Sequence, residues 1–129
     1  IIGNSTKFAG EVIVDDNAVV SASVLCHQFC HIGSYVMIQG GTRFGQDIPP
    51  YTIAGRDPVR FAGINIVGLK RHGFSNELIE LIHESYRILY SKGIRAEGIE
   101  EIKKNLQITK EIQYIIDFVE SSQRGIIRK

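Results

Sequence analysis

Residues 2–49, written in blocks of six, read IGNSTK, FAGEVI, VDDNAV, VSASVL, CHQFCH, IGSYVM, IQGGTR and FGQDIP. The first column is apolar or compatible with a core throughout: Ile2, Phe8, Val14, Val20, Cys26, Ile32, Ile38 and Phe44. The fifth column is small or apolar throughout: Thr6, Val12, Ala18, Val24, Cys30, Val36, Thr42 and Ile48. An amphipathic helix repeats apolar residues every three or four positions and a strand every two. A strict period of six instead predicts a parallel β-helix, whose coils stack on one another.

Three blocks make one triangular coil, so we expect residues 18 apart to stack, with Ile2 over Val20 and Val20 over Ile38. The repeat then provides about 2.7 coils. An array of fewer than about three repeats buries little core and needs a capped end. We therefore expect the chain to be part of a longer parent protein, with earlier coils before Ile1.

The block CHQFCH holds two cysteines and two histidines, a density that suggests a metal site. The register argues against one. Cys26 falls in the first column and Cys30 in the fifth, so both thiols should lie in the interior as reduced, apolar groups. His27 and His31 fall in other columns, so the four side chains diverge where a zinc site needs convergent ligands. We predict no metal here, and His27 is either a solvated corner residue or part of a seam between subunits.

The period stops at PPYTIAG, residues 49–55, because consecutive prolines cannot donate ladder hydrogen bonds. Residues 49–74 are predicted to form a connector loop. Its basic side chains suit either anion recognition or a solvated loop: Arg56, Arg60, Lys70, Arg71 and His72.

From Ser75 the pattern becomes helical, and a C-terminal helical domain is predicted over residues 75–129. Ser75 can cap a first helix that ends at Gly93. A second helix is expected over residues 97–106, and a third after Thr109. With residues 1–48 as the β-helix and 49–74 as the connector, the fold class is mainly β, then α.

Composition excludes several functions. The formal net charge is +1, and the basic excess of residues 58–129 is too modest to argue for nucleic-acid binding. No apolar run approaches the roughly 20 residues that span a bilayer, and residues 1–10 lack the pattern of a signal peptide. Two cysteines without a secretory signal do not form a disulfide framework. These features predict a cytoplasmic protein with reduced thiols.

Three further stretches carry a resemblance to a known family: HQFCHIGSYVMIQGG at residues 27–41, QDIPPY at 46–51 and GINIVGLKRHGFS at 63–75. With the hexads, they resemble the carboxy-terminal half of the UDP-N-acetylglucosamine O-acyltransferases of lipid A synthesis. The resemblance implies a left-handed parallel β-helix, a homotrimer with sites between adjacent subunits, and no cofactor. It also implies transfer of a 3-hydroxyacyl chain from acyl carrier protein to the glucosamine 3-hydroxyl by a histidine general base.

The resemblance assigns roles to individual residues. Gly10 matches the glycine whose backbone N–H stabilises the oxyanion of the tetrahedral intermediate. His27 and Gln28 match a substrate-contacting pair. Gly40 matches a position that limits acyl length, and Asn65 matches one that holds the nucleotide.

Further matches lie beside these. Arg71 corresponds to a phosphate-holding position and His72 lies next to it in the same region. Glu11 replaces a histidine of many relatives, whereas Val67 and His72 replace a polar and a basic residue. Arg56, Arg60 and Lys70 are candidates to attract the acidic carrier protein.

The general-base histidine of the family belongs to a coil before residue 1. We therefore expect the isolated 129-residue chain to be inactive. Two alternatives remain: a related hexapeptide-repeat N-acyl- or acetyltransferase, and a non-catalytic trimerisation module.

Overall fold

The computed structural model describes residues 1–4, 6–56 and 58–129. The chain forms two compact units. One contains Ile1–Asn65 together with Ser122–Lys129, and the other contains Ile66–Ser121.

Seven two-residue strands follow the hexads in the first unit: β1 Lys7–Phe8, β2 Ile13–Val14, β3 Val19–Val20, β4 Leu25–Cys26, β5 His31–Ile32, β6 Met37–Ile38 and β7 Arg43–Phe44. They pair in parallel at a spacing of 18 residues, with Phe8 opposite Cys26 and Cys26 opposite Phe44. The other two faces pair β2 with β5 and β3 with β6 in the same way. The predicted stacking of residues 18 apart is confirmed.

The first and fifth columns line the core from Ala18 onwards. Every member from Ala18 to Ile48 is at most 4 % exposed, including Cys26 at 3 % and Cys30 at 1 %. Ile2 and Val14, in the first coil, are exposed. The predicted interior position of both thiols is confirmed, and both are unpaired as disulfides.

The repeat extends beyond residue 48, which differs from the prediction. Ile48 bridges Ile32, and Ala54 in strand β8 (Thr52–Gly55) pairs with Ile38, both at a spacing of 16. The block that starts at Phe44 is therefore two residues short, and Ile48 occupies the first column rather than the fifth. The two prolines are accommodated at a corner of the coil, where no ladder hydrogen bond is required.

Residues 49–74 contain regular structure where a connector loop was expected. Strand β8 forms an antiparallel pair with β9 (Arg60–Ile64). Helix α1 follows at Ile66–Arg71. Val59 and Phe61 pack against the core of the coils. Burial along β9 shows no period of two, because its first four residues are half-buried and Ile64 is buried, so the usual strand signal is absent.

The second unit contains helices α2 (Asn76–Ser91), α3 (Arg95–Asn105) and α4 (Lys110–Ser121), close to the three predicted positions. The Ser75 hydroxyl caps α2 by accepting a hydrogen bond from the Leu78 N–H at 3.1 Å. The Thr109 hydroxyl accepts from the Ile112 N–H at 3.3 Å at the start of α4. Of the helices in the described ranges, none is both long and apolar enough to cross a membrane.

The chain after α4 departs from the predicted helical domain of residues 75–129. Residues 122–129 return to the first unit, where Ile126 bridges Asp47 and Ile127 is fully buried in the β core. This eight-residue segment is called the tail below.

Candidate active site

The corners of the coils share one backbone conformation and hydrogen-bond pattern. The candidate site lies at the corner that departs from this pattern. At regular corners the second corner residue has a positive φ, and its N–H donates to the first corner residue one coil earlier. This holds for Ser23 to Asn4, Tyr35 to Asp16, Gly41 to Ala22 and Tyr51 to Ser34. At Gly10 and Glu11 the positive φ falls on the first residue instead, and the Phe29 N–H donates to the Glu11 carbonyl at 2.7 Å.

Gly10 and Gln28 are in contact across the two coils of this irregular corner. A Cβ on Gly10 would lie 2.7 Å from Gln28 Cγ, and φ at Gly10 is +67°. Only glycine satisfies both conditions without strain. Within the described ranges, no hydrogen bond engages the Gly10 N–H. The predicted oxyanion donor is therefore a backbone N–H beside the predicted Gln28.

His27 lies on the same corner, directly after strand β4. Its N–H donates to the Phe44 carbonyl at 3.0 Å. Its exposed imidazole lies over the α carbon of Gly45, because a Cβ placed there would be 3.3 Å from His27 Cδ2 and 3.6 Å from Cγ. The structure thus brings Gly10, His27 and Gln28 to one corner, with the exposed Glu11 next to Gly10.

A surface cleft of about 450 Å³ opens beside His27. Its apolar part is formed by Phe8, Ala9, Leu25 and Cys26, and two cations border it, Lys7 and Arg43. Both cations are in the sixth column, 36 residues apart, on the face of β1, β4 and β7. Neither cation was predicted from the sequence, although this spacing of two coils was a usable signal.

The remaining predicted residues are placed elsewhere. Gly40 lies at another corner, where a Cβ would be 3.3 Å from the Ala22 carbonyl oxygen. Asn65 directly follows strand β9, and its side-chain NH₂ donates to the Tyr35 carbonyl at 3.0 Å. Arg71 is the last residue of α1 and His72 follows it; both are exposed and belong to the second unit, as does the exposed Val67.

The two buried thiols interact with each other. The Cys26 thiol donates to the His27 carbonyl at 3.4 Å. A hydrogen bond with Cys30, and burial second to it, raise the pKa of the Cys26 thiol. The burial of both thiols fits the predicted structural role of the two cysteines.

Asp47 is a buried carboxylate that accepts hydrogen bonds from two parts of the β unit. It is 5 % exposed, and its carboxylate accepts from the His31 N–H at 2.8 Å and from the Ser122 hydroxyl at 2.5 Å. The His31 imidazole lies 2.8 Å from the Asp15 carboxylate. His31 is therefore held by two aspartates, on the sheet of β2 and β5.

Comparison with known proteins gives a consistent result. A family model described as UDP-N-acetylglucosamine O-acyltransferase, domain 2, matches residues 47–127. A relative from Aliivibrio salmonicida, named acyl-[acyl-carrier-protein]–UDP-N-acetylglucosamine O-acyltransferase, is 41 % identical over 129 residues. The alignment covers 99 % of this chain and 49 % of the relative, so the chain spans about half the length of such relatives.

Two solved structures are similar to the whole chain. A UDP-N-acetylglucosamine acyltransferase from Bacteroides fragilis superposes with a TM-score of 0.96 at 58 % identity, over 98 % of this chain and 50 % of the other. An enzyme of the same name from Francisella novicida gives a TM-score of 0.92 at 37 % identity, over 99 % and 48 %.

Proposed function

The chain belongs to the UDP-N-acetylglucosamine O-acyltransferase family, and from this premise we propose an activity for the protein that contains it. That protein transfers a 3-hydroxyacyl chain from acyl carrier protein to the 3-hydroxyl of UDP-N-acetylglucosamine, in the synthesis of lipid A. It acts in the cytoplasm as a homotrimer of left-handed parallel β-helices. The chain contributes one side of each site.

The observation that carries this proposal is the irregular corner. It combines a backbone N–H at Gly10 that no other described group engages with the side chains of Gln28 and His27. An oxyanion site needs such a donor, and glycine allows the close approach of a substrate. The neighbouring cleft offers apolar surface for an acyl chain and two cations at its border.

The reaction is an acyl transfer from a thioester to a sugar hydroxyl. A histidine on a coil that precedes residue 1 in the parent protein removes the proton from the sugar 3-hydroxyl. The oxygen attacks the thioester carbonyl, and the Gly10 N–H stabilises the resulting oxyanion. The C–S bond breaks as the intermediate collapses, and the leaving thiolate takes up the proton.

His27 and Gln28 hold the sugar nucleotide during this reaction, in our proposal. Asn65 binds the nucleotide. Arg71 binds the phosphates, because a guanidinium fork suits pyrophosphate. Gly40 limits the length of the acyl chain. Glu11 and His72 occupy substrate-contacting positions and differ from many relatives, so the local contacts of this enzyme differ there.

The test is acyl transfer by the full-length protein with 3-hydroxyacyl carrier protein and UDP-N-acetylglucosamine. The expected product is the 3-O-acyl sugar nucleotide. Acylation of an amino sugar instead, or use of acetyl-coenzyme A, would contradict the proposal. The 129-residue chain alone should give no product.

Variants locate the site within that assay. His27→Ala and Gln28→Ala should each lower kcat/KM for the nucleotide by about ten- to a hundredfold, because each removes one polar contact with the substrate. His83→Ala is the matched control, because this histidine side chain is 56 % exposed on α2. Equal activity of all three variants would remove His27 and Gln28 from the site.

The proposed homotrimer can be tested separately from the activity. Phe29 is 57 % exposed at the irregular corner with φ at +67°, which supports a subunit contact there. Sedimentation of the full-length protein should give three times the protomer mass. A monomer would contradict a site that lies between subunits.

A further inference from the structure

The candidate site depends on a segment that the repeat itself does not support. Strand β7 is the last strand of its sheet, and the block of residues 44–47 is two residues shorter than a hexad. A normal coil is held by hydrogen bonds from the coils on both sides. Among the described residues, no further coil lies beyond residues 45–47.

The tail supplies the missing partners. The Asp47 N–H donates to the Gly125 carbonyl at 2.9 Å, and the Ile127 N–H donates to the Asp47 carbonyl at 3.1 Å. The Ser122 hydroxyl donates to the Asp47 carboxylate. The Arg124 Nε–H donates to the Gly45 carbonyl at 2.7 Å. The tail therefore provides residues 45–47 with the hydrogen-bond partners that a further coil would otherwise provide.

Gly45 links this tail to the imidazole of His27. The point where a Gly45 Cβ would stand is 3.3 Å from His27 Cδ2 and 3.7 Å from a terminal nitrogen of Arg124. The φ of Gly45 is outside the left-handed region, so alanine is allowed there by the backbone. Position 45 requires glycine because a side chain there would crowd the imidazole of His27, and not because of the backbone conformation.

We infer that Gly45 and Arg124 are positioning residues for His27. Gly45 leaves room for the imidazole, and Arg124 holds the Gly45 main chain from the tail, so together they set the position at which His27 meets the sugar nucleotide. The inference rests on the proposed function, since that function supplies the substrate contact of His27.

Steady-state kinetics of the full-length protein test the inference. Gly45→Ala and Arg124→Met should raise KM for UDP-N-acetylglucosamine about three- to tenfold, as expected for a shift of a few tenths of an ångström in one contact. KM for the acyl carrier substrate should not change. Arg124→Lys keeps one donor and should restore part of the affinity.

Two matched controls accompany these variants. Gly93→Ala adds a methyl group where no atom lies within 4 Å, at a glycine with an ordinary φ. Arg128→Met removes a second tail guanidinium whose residue is exposed. If Gly45→Ala and Arg124→Met give the same KM as the two controls, the inference is wrong.

A spectroscopic readout separates this inference from the proposed function. The imidazole signals of His27, assigned with His27→Gln, should shift in Gly45→Ala and Arg124→Met without any substrate and stay in place in the controls. A wild-type protein that forms no 3-O-acyl product refutes the proposed function. In that case the His27 signals of the two variants still test the positioning role. An active wild type with unmoved signals refutes only the positioning role.

Discussion

Individual corner residues carry much of the backbone strain of the coils. Asn17, Ser23, Phe29, Tyr35 and Tyr51 all have φ between 60° and 69°, a region that costs a non-glycine residue roughly 1–2 kcal/mol. Glycine adopts such a φ without this cost. The bulkier residues are compensated by contacts, as in Tyr35 and Tyr51, whose rings stack with centroids 5.9 Å apart.

Ser23 offers a test of this strain, because it is exposed and its φ is 61°. Ser23→Gly should raise the free energy of unfolding by about 0.5–1 kcal/mol, the relief of strain less the added entropy of the unfolded chain. Its neighbour Ala22, with an ordinary φ, is the control. Ala22→Gly should lower the same free energy by a similar amount in urea denaturation, and equal signs for the two changes would contradict the strain argument.

Asp47 gives a second prediction for single residues. Asp47→Ala leaves the His31 N–H and the Ser122 hydroxyl without their acceptor in a buried place, at a cost of about 2–3 kcal/mol in the free energy of unfolding. Ser122→Ala should cost about 1 kcal/mol. In a double-mutant cycle the combined variant should lose little more than Asp47→Ala alone. Additive losses would mean that the two side chains are not coupled.

Among the elements, the two-residue strands were predictable and the hairpin was not. The strands repeat one pattern, so eight blocks reinforced the same register. The shortened block at Phe44 breaks that pattern once, and a single two-residue deletion is invisible until a pairing partner such as Ile32 for Ile48 is known. Helices α2 to α4 were predictable because caps and apolar stripes act locally.

The candidate site divides in the same way. The family resemblance assigned roles to Gly10, His27 and Gln28, and the register alone put both thiols inside. Gly45 and Arg124 were not identified, since they are 79 residues apart and meet only when the tail folds back. Contacts of that separation leave no periodic trace in one sequence.

Helix α2 carries a pH-dependent prediction. Burial raises the pKa of Tyr90, which stacks on Tyr86 with centroids 6.3 Å apart. The folded protein keeps this phenol neutral where the unfolded chain ionises it, so the stability it supports is present below pH 10 and lost as pH rises above that value. Between pH 8 and pH 11, the free energy of unfolding should fall by about 1 kcal/mol less in Tyr90→Phe than in the wild-type protein. Urea denaturation at pH 8 and pH 11 measures it, and an equal difference between the two proteins at both pH values would contradict the burial.

At the scale of the whole molecule, charge follows the two units and not the two halves of the sequence. The unit of residues 66–121 has eight Lys or Arg against nine Asp or Glu, although residues 58–129 as a whole have an excess of basic residues. That excess comes from residues of the first unit, Arg60 and the tail residues Arg124, Arg128 and Lys129. Any attraction of an acidic carrier protein by net charge is therefore expected at the β unit.

The β unit is assembled from two distant segments, residues 1–65 and the tail, so it cannot be complete until the last residues are in place. Ile127 is fully buried in its core. Ile127→Ala should lower the free energy of unfolding of this unit by about 2–5 kcal/mol, whereas the partly exposed neighbour in Ile126→Ala should cost less. Hydrogen exchange resolves the effect by unit. Amides of strands β1 to β7 should exchange faster in Ile127→Ala while those of α2 to α4 keep wild-type rates, and uniform acceleration would show that the tail does not act through the β core.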